Sequence, residues 1–303
     1  MRVLIVGAGA VGGYFGGRLS AAGRDVTFLV RPGRAVQLER DGLVIESPAG
    51  DVRLPTPRLV TAERLSEPFD LILLACRAYD VDAAIDDLAP AVGDESVILP
   101  LVNGMAHMAS LGRRFGEAAI AGGCCWIPVD LEDGRVLHRG ALKRLAFGIP
   151  GDPGGRGDAI AELLDVPGVD RELRTDIIDL MWAKWVSIAS LAGTNLLARG
   201  TVGEMVAAGA GVAAEAFLDE CLAIARFNGA HPPVGEIEAW LAALTGPGSP
   251  TTASFYRDTL AGRRTEHQAI LADLLSRAAP GIVSPLLRFA VAAASIYESR
   301  RNG

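Results

Sequence analysis

Residues 2–31, "RVLIVGAGAVGGYFGGRLSAAGRDVTFLVR", constrain this chain more than any other stretch. A short apolar run meets a cluster of glycines, a helix-compatible segment follows, and a second apolar run closes the unit, which is the pattern of strand, turn, helix, strand. Gly7, Gly9 and Gly12 in "GAGAVG" fall where a dinucleotide-binding βαβ unit needs them. The first permits the tight turn, the second lets the backbone approach a pyrophosphate, and the third allows close packing of the helix. The amides of Ala10, Val11 and Gly12, at the helix start, are the expected donors to that pyrophosphate.

Further apolar runs at 43–46, 70–76, 96–102 and 119–129 alternate with helical or polar segments such as 80–89. That alternation predicts an α/β fold with a mostly parallel, doubly wound sheet of Rossmann type. Stretches 134–138 and 144–149 read as added antiparallel strands. From about Thr175 onward the chain reads as helices separated by "FNGAHPP" and "LTGPGSPTT". With 303 residues there is length for two domains, each with its own core. The expected division is a Rossmann domain over 1–172 and an all-helical C-terminal domain over 173–303, with the glycine-rich stretch 150–157 a loop of the first.

At the end of the second strand an NAD enzyme would carry Asp or Glu for the ribose hydroxyls. This chain has "FLVRPGR", and Arg31 and Arg34 lie where a 2′-phosphate would sit. NADP(H) is therefore the expected cofactor. A net charge of −7 argues against a nucleic-acid footprint or a membrane-surface patch and for a small-molecule partner. Cys76, Cys124, Cys125 and Cys221 are too few and too irregularly spaced for a disulfide framework or a zinc site, so no metal and a reducing cytoplasm are expected. The opening apolar run breaks at glycines within a few residues and reads as a strand rather than a signal peptide.

Lys143 and Lys184 are the only lysines among 29 basic residues, the rest being arginine. In so arginine-rich a chain, a lysine kept within "MWAKWVSIASLAG" suits a role arginine cannot fill, that of an acid able to release its proton. Trp182 and Trp185 are expected to desolvate its amine in part.

The fingerprint, "FLVRPGR", "CRAYD", "LVNGM", "MWAKW", "TTASFYRD" and "RRTEH", in this order and spacing, resemble the ketopantoate reductase (2-dehydropantoate 2-reductase) family over nearly the whole length. The resemblance implies a Rossmann domain followed by a helical substrate domain, with an active site in the cleft between them, and a dimer formed through the helical part. It implies NADPH-dependent reduction of a small 2-oxo acid, with Lys184 as catalytic general acid and Glu266 as its acidic partner. Asn103 matches the asparagine beside nicotinamide and substrate, and Ser254 the serine at the substrate carboxylate. Arg77 stands where the family usually has the lysine of its cofactor site.

Two positions depart from that pattern. The family commonly has asparagine four and eight residues after the catalytic lysine, and here those residues are Ile188 and Ala192. Asn195, eleven residues on, returns to nearly the same helix face but about 16 Å along the axis, so it is expected to cap or pack. Three readings stay open: a 2-dehydropantoate reductase, a reductase of a different oxo acid or imine, and a non-catalytic NADPH-binding sensor. None of His107, His138, His231 and His267 has metal-ligand spacing or sits in a nucleophile or base motif, so surface or packing roles are expected, with His107 near the nicotinamide loop and His267 beside Glu266 the two placed to tune the site.

Overall fold

A computed structural model describes residues 1–152 and 155–302; Pro153 and Gly154 of the expected glycine-rich loop, and Gly303, lie outside them. The chain divides into two compact units, Met1–Val102 with His107–Ile177, and Asn103–Ala106 with the segment from Ile178 onward.

The first unit contains, in chain order, β1 (Arg2–Val6), α1 (Ala10–Ala21), β2 (Asp25–Leu29), α2 (Pro32–Asp41), β3 (Leu43–Glu46), β4 (Val52–Leu54), β5 (Leu59–Val60), β6 (Leu71–Leu74), α3 (Val81–Leu88), β7 (Val97–Pro100), α4 (Ala106–Phe115), β8 (Gly122–Trp126), β9 (Val129–Glu132), β10 (Arg135–His138), β11 (Arg144–Gly148), α5 (Arg156–Leu163) and β12 (Asp170–Leu173). Five strands form a parallel sheet in the order β5-β2-β1-β6-β7. β1 lies central because every residue of Val3–Val6 is buried, as a strand covered on both faces requires. Its alternate side chains enter different cores: Val3 and Ile5 join Phe15 and Leu19 of α1, whereas Leu4 and Val6 join Ile85 and Leu88 of α3 and Leu111 of α4. That two-sided cover is the doubly wound arrangement.

The expected parallel sheet does not extend as far as the apolar runs suggested. β3 pairs antiparallel with β4 and parallel with β10, in a separate sheet of order β4-β3-β10-β9. The reason is visible in its burial: Leu43 and Ile45 are buried while Val44 and Glu46 are half-exposed, the alternation of a one-sided strand. The run at 119–129 likewise yields β8, which joins β11 and β12 in a third, three-stranded sheet. α1 runs between the first two sheets, and its glycines make room for both. A Cβ on Gly16 would meet Phe28 at 2.5 Å, and one on Gly17 would meet Ile45 at 2.5 Å. Strand β12 was not expected from the sequence, and the units divide after Ile177, five residues beyond the expected boundary.

The second unit is helical: α6 (Ile177–Ala198), α7 (Val202–Ala207), α8 (Gly211–Phe227), α9 (Val234–Leu244), α10 (Ser254–Leu260), a π-helical turn over Gln268–Ala272, α11 (Asp273–Ser276) and α12 (Pro285–Asn302). Its 22-residue α6 is apolar nearly all round, as a helix enclosed by others should be. α7 begins in a capping box: the Glu204 amide donates to the Thr201 hydroxyl at 3.2 Å, and the Thr201 amide to the Glu204 carboxylate at 2.7 Å. No helix among the described residues is long and apolar enough to cross a membrane.

Candidate active site

The glycine loop is built from backbone. Gly7 sits at φ +96°, a conformation L side chains rarely adopt, and its amide donates to the Leu29 carbonyl at 3.0 Å, carrying the β1–β2 pairing into the turn. A Cβ on Gly12 would lie 2.0 Å from the Gly7 carbonyl oxygen, so the first turn of α1 closes on the loop only with glycine there. Gly9 is different. It is the N-cap of α1, its φ of −79° is ordinary, and its Cβ position meets nothing within 4 Å among the described residues. Its side-chain space is open toward the helix N-terminus, where the amides of Ala10, Val11 and Gly12 precede the first intrahelical partner. α1 has no acidic residue in its first turn and no side-chain cap among the described residues. These features fit a dinucleotide pyrophosphate: an uncapped helix start, positive by its dipole, with an open approach at Gly9.

The two arginines after β2 have different surroundings. Arg31, at the N-cap of α2, has a side chain 70% exposed whose Nη2 donates to Asp80 Oδ1 at 2.8 Å. That hydrogen bond and the charge of Asp80 hold its pKa above the usual arginine value. Arg34 is turned inward. Its Nε donates to the Ala8 carbonyl of the glycine loop at 3.0 Å, and its Nη1 donates to Gln37 Oε1 at 2.6 Å and to the Gly134 carbonyl at 3.2 Å. Its Nη2 is buried without a hydrogen-bond partner among the described residues, and burial lowers its pKa. Arg34 thus joins the loop, α2 and the β9–β10 turn. Arg77 is exposed and forms the N-cap of a short 3₁₀ turn over Ala78–Asp80.

The second unit gathers the remaining candidates. Asn103 Nδ2 lies 3.5 Å from Glu266 Oε2, at the outer limit of a hydrogen bond, although the residues are 163 apart in sequence. Gly104 makes the approach feasible. It sits at φ +85°, and a Cβ there would meet the Ala269 carbonyl at 2.6 Å, so the "NGM" backbone rests directly on the π-helical turn that follows Glu266. π-helical turns are uncommon and recur at functional sites. Trp185 Nε1 donates to the Ile270 carbonyl in the same turn at 3.0 Å, which fixes α6 against it one residue beyond Lys184. Lys184 itself is half-buried on α6. The indoles of Trp182 and Trp185 lie 4.9 Å apart, and the Arg277 guanidinium lies over both, at 5.7 and 5.1 Å. The tryptophans are therefore core residues and a platform for Arg277 as well as neighbours of the lysine.

Glu266 is 6% exposed, and the segment carrying it is held from behind by a residue the sequence did not single out. Glu298 of α12 accepts from the Thr265 amide and from the Thr265 hydroxyl, both at 2.7 Å, and from Arg301 Nε at 2.9 Å. Burial pushes the Glu298 carboxyl upward, but the hydrogen bonds from Thr265 and Arg301 outweigh it and leave its pKa below the ordinary glutamate value. His267 is lowered mainly by burial, against the opposing pull of Glu298. Asn195 has the packing role expected of it: fully buried, its Nδ2 donates to the Gly200 carbonyl and its Oδ1 accepts from the Ala253 amide, each at 2.8 Å. Ala253 is the N-cap of α10, whose first residue is the exposed Ser254, so Asn195 fixes where Ser254 begins. Ile188 is half-buried and Ala192 buried on α6. His138 is structural, between Ser47 Oγ at 2.8 Å and the Leu142 carbonyl at 2.9 Å. Cys124, Cys125 and Cys221 are buried.

Two family models match the chain: "Ketopantoate reductase PanE/ApbA" over residues 3–151 and its C-terminal counterpart over 176–298. Among curated proteins, an uncharacterized oxidoreductase, YkpB, of Bacillus subtilis (strain 168) is 33% identical, covering 99% of this chain and all of the relative. A 2-dehydropantoate 2-reductase of Caulobacter vibrioides is 26% identical over 96% of this chain and 97% of its own length. Among solved structures, a 2-dehydropantoate 2-reductase of Geobacter metallireducens GS-15 superposes with a TM-score of 0.88 at 28% identity, covering 98% of this chain and 99% of that one. With matches spanning the glycine loop, the lysine helix and the segment around Glu266, the chain belongs to the ketopantoate reductase family and is an NAD(P)H-dependent oxidoreductase of the 2-dehydropantoate 2-reductase type.

Proposed function

We propose that this protein reduces a small 2-oxo acid to the 2-hydroxy acid with NADPH, with 2-dehydropantoate the first candidate and pantoate its product. The observation that carries the reading is the polar cluster in the helical unit: a buried Glu266 carboxylate beside the Asn103 amide, two residues before a π-helical turn tied to α6 next to Lys184.

The reduced nicotinamide, when bound, supplies the hydride that reaches the carbonyl carbon. Lys184 Nζ donates its proton to the carbonyl oxygen as negative charge develops there, and is reprotonated from solvent in each turnover. Glu266 orients the substrate-side groups and offsets the lysine charge, and Asn103 binds alongside it. Ser254 takes the substrate carboxylate, which Asn195 assists by fixing the start of α10. The amides of Ala10, Val11 and Gly12 bind the pyrophosphate. Arg31 is the cation for the 2′-phosphate, assisted by Arg77, while Arg34, with Nε and Nη1 committed to Ala8, Gln37 and Gly134, shapes the loop.

A second reading, a reductase of a different oxo acid, is favoured by Ile188 and Ala192, where apolar side chains replace amides able to bond a hydroxylated substrate. The deciding experiment follows NADPH oxidation by the purified protein against 2-dehydropantoate and a panel of 2-oxo acids of varied side chain. Turnover of 2-dehydropantoate well above the others supports the first reading, and turnover of another oxo acid alone supports the second. Silence across the panel with NADPH still bound would overturn both.

A further inference from the structure

The order of the parallel sheet puts β1 between β2 and β6. Arg31 follows β2 and Asp80 follows the turn after β6, so their 2.8 Å ion pair spans the C-terminal end of β1, where the glycine loop begins. Neighbouring strands lie about 4.8 Å apart, so the pair reaches across two strand spacings. An aspartate at a helix N-cap ordinarily accepts from an amide of the first turn. Asp80 is the N-cap of α3, yet it makes no such cap bond among the described residues, and its carboxylate is directed at Arg31 instead. With the Arg31 side chain 70% exposed, the pair adds little to stability, so the fold does not account for it.

We propose that Asp80 is a specificity-determining residue at the adenosine end of the cofactor, narrowing the preference for a 2′-phosphate over a free 2′-hydroxyl. The inference rests on the reading of Arg31 as the 2′-phosphate cation. Paired with Asp80, Arg31 presents no net charge, and a 2′-phosphate must draw the guanidinium away from a carboxylate that also repels it. A ribose with both hydroxyls free brings donors that the same carboxylate accepts. Dinucleotide folds that take NAD carry this acid at the end of the second strand. Here an arginine occupies that end, and the acid arrives from the far side of β1. The chain therefore takes both forms of the cofactor with a small preference for the phosphorylated one.

Calorimetric titration of the full-length protein with adenosine 2′,5′-bisphosphate and with 5′-AMP tests this without any turnover. Asp80→Asn should tighten the bisphosphate about fivefold and leave 5′-AMP unchanged or weaker, as expected for removing one exposed charge partner, and the gain should shrink at high salt. Asp80→Ser, which puts a residue favoured at helix N-caps there without charge, should reproduce the result and guards against a folding defect in the first variant. Weaker bisphosphate binding in both variants, or an unchanged ratio of the two affinities, would overturn the proposal, because Asp80 would then be holding Arg31 in place or be irrelevant to it. Arg31→Ala separates the two layers. If that variant leaves the ratio untouched, the 2′-phosphate reading of Arg31 itself fails. If it collapses the ratio while Asp80→Asn does not raise it, only the role of Asp80 is lost.

Discussion

The glycine loop of the first unit and the Asn103–Glu266 cluster of the second are built by opposite means. The loop is made of backbone from six consecutive residues, and what it requires is absence: no Cβ at Gly12, none at Gly7 with its positive φ. The cluster is made of side chains brought from positions near 103, 185 and 266, each fixed by a partner remote in sequence, such as Glu298 behind Thr265. A backbone site tolerates little change at its closest approaches and leans on few distant side chains, Arg34 at the Ala8 carbonyl being one. A side-chain site can be damaged from far away, through the groups that position it.

That contrast can be broken or sharpened by mutation. The largest expected effect is at Lys184: Lys184→Met should lower kcat by about 10²- to 10⁴-fold while NADPH affinity stays within error, since a general acid contributes that range. Calorimetric binding beside steady-state kinetics checks it, and loss of NADPH binding in the variant would show that the lysine serves the cofactor instead. Next, Gly12→Ala forces the first turn of α1 off the Gly7 carbonyl and should cost about 2–3 kcal/mol of stability together with cofactor binding, measured by denaturant unfolding and NADPH titration.

Asn195→Ala leaves the Ala253 amide and the Gly200 carbonyl without their partner, at about 1–3 kcal/mol. If the substrate carboxylate binds at Ser254, the same variant raises KM for the oxo acid more than it lowers kcat, and an unchanged KM would detach Asn195 from the site. Glu298 adds a pH signature. Its folded pKa lies below the ordinary value of about 4.3, so its contribution to stability is complete above that value and is lost as the pH falls through the lower, folded one. The gap in Tm between wild type and Glu298→Gln should be constant from neutral pH down to about 5 and close in more acidic buffer. The smallest effect on stability belongs to Gly9→Ala. With open space at its Cβ and an ordinary φ, it should leave Tm unchanged while weakening NADPH, which separates the glycine the ligand needs from the glycine the fold needs.

Much of the first unit was legible because its signals are local. The βαβ unit at 2–31 and the runs that became β6 and β7 declared themselves by continuous apolar sequence, as strands buried on both faces do. The runs at 43–46 and 119–129 were legible as strands but not as members of other sheets, since pairing partners leave no mark in the pattern of a single strand. β12, with the sequence "DREL", carries no apolar run and was invisible. Arg31 and Arg34 look equivalent in "FLVRPGR", and only burial separates the exposed cation paired with Asp80 from the inward one bonded to Ala8. Glu298 sits in no motif, and Asp80 closes "CRAYD" without being singled out there, because the importance of both lies in what they touch.

By itself, the sequence determined the dinucleotide loop, the sequence of a sheet-containing half and a helical half, and the scarcity that marks Lys184. These are properties of spacing and composition, which act over a few turns of chain. The tertiary structure alone decided that Asn103 meets Glu266, that Trp185 fastens α6 to a π-helical turn, and that Arg31 is neutralised from across β1. Hydrogen bonds and charge pairs act over a few ångströms and are indifferent to sequence separation, so they exist only once the chain has folded.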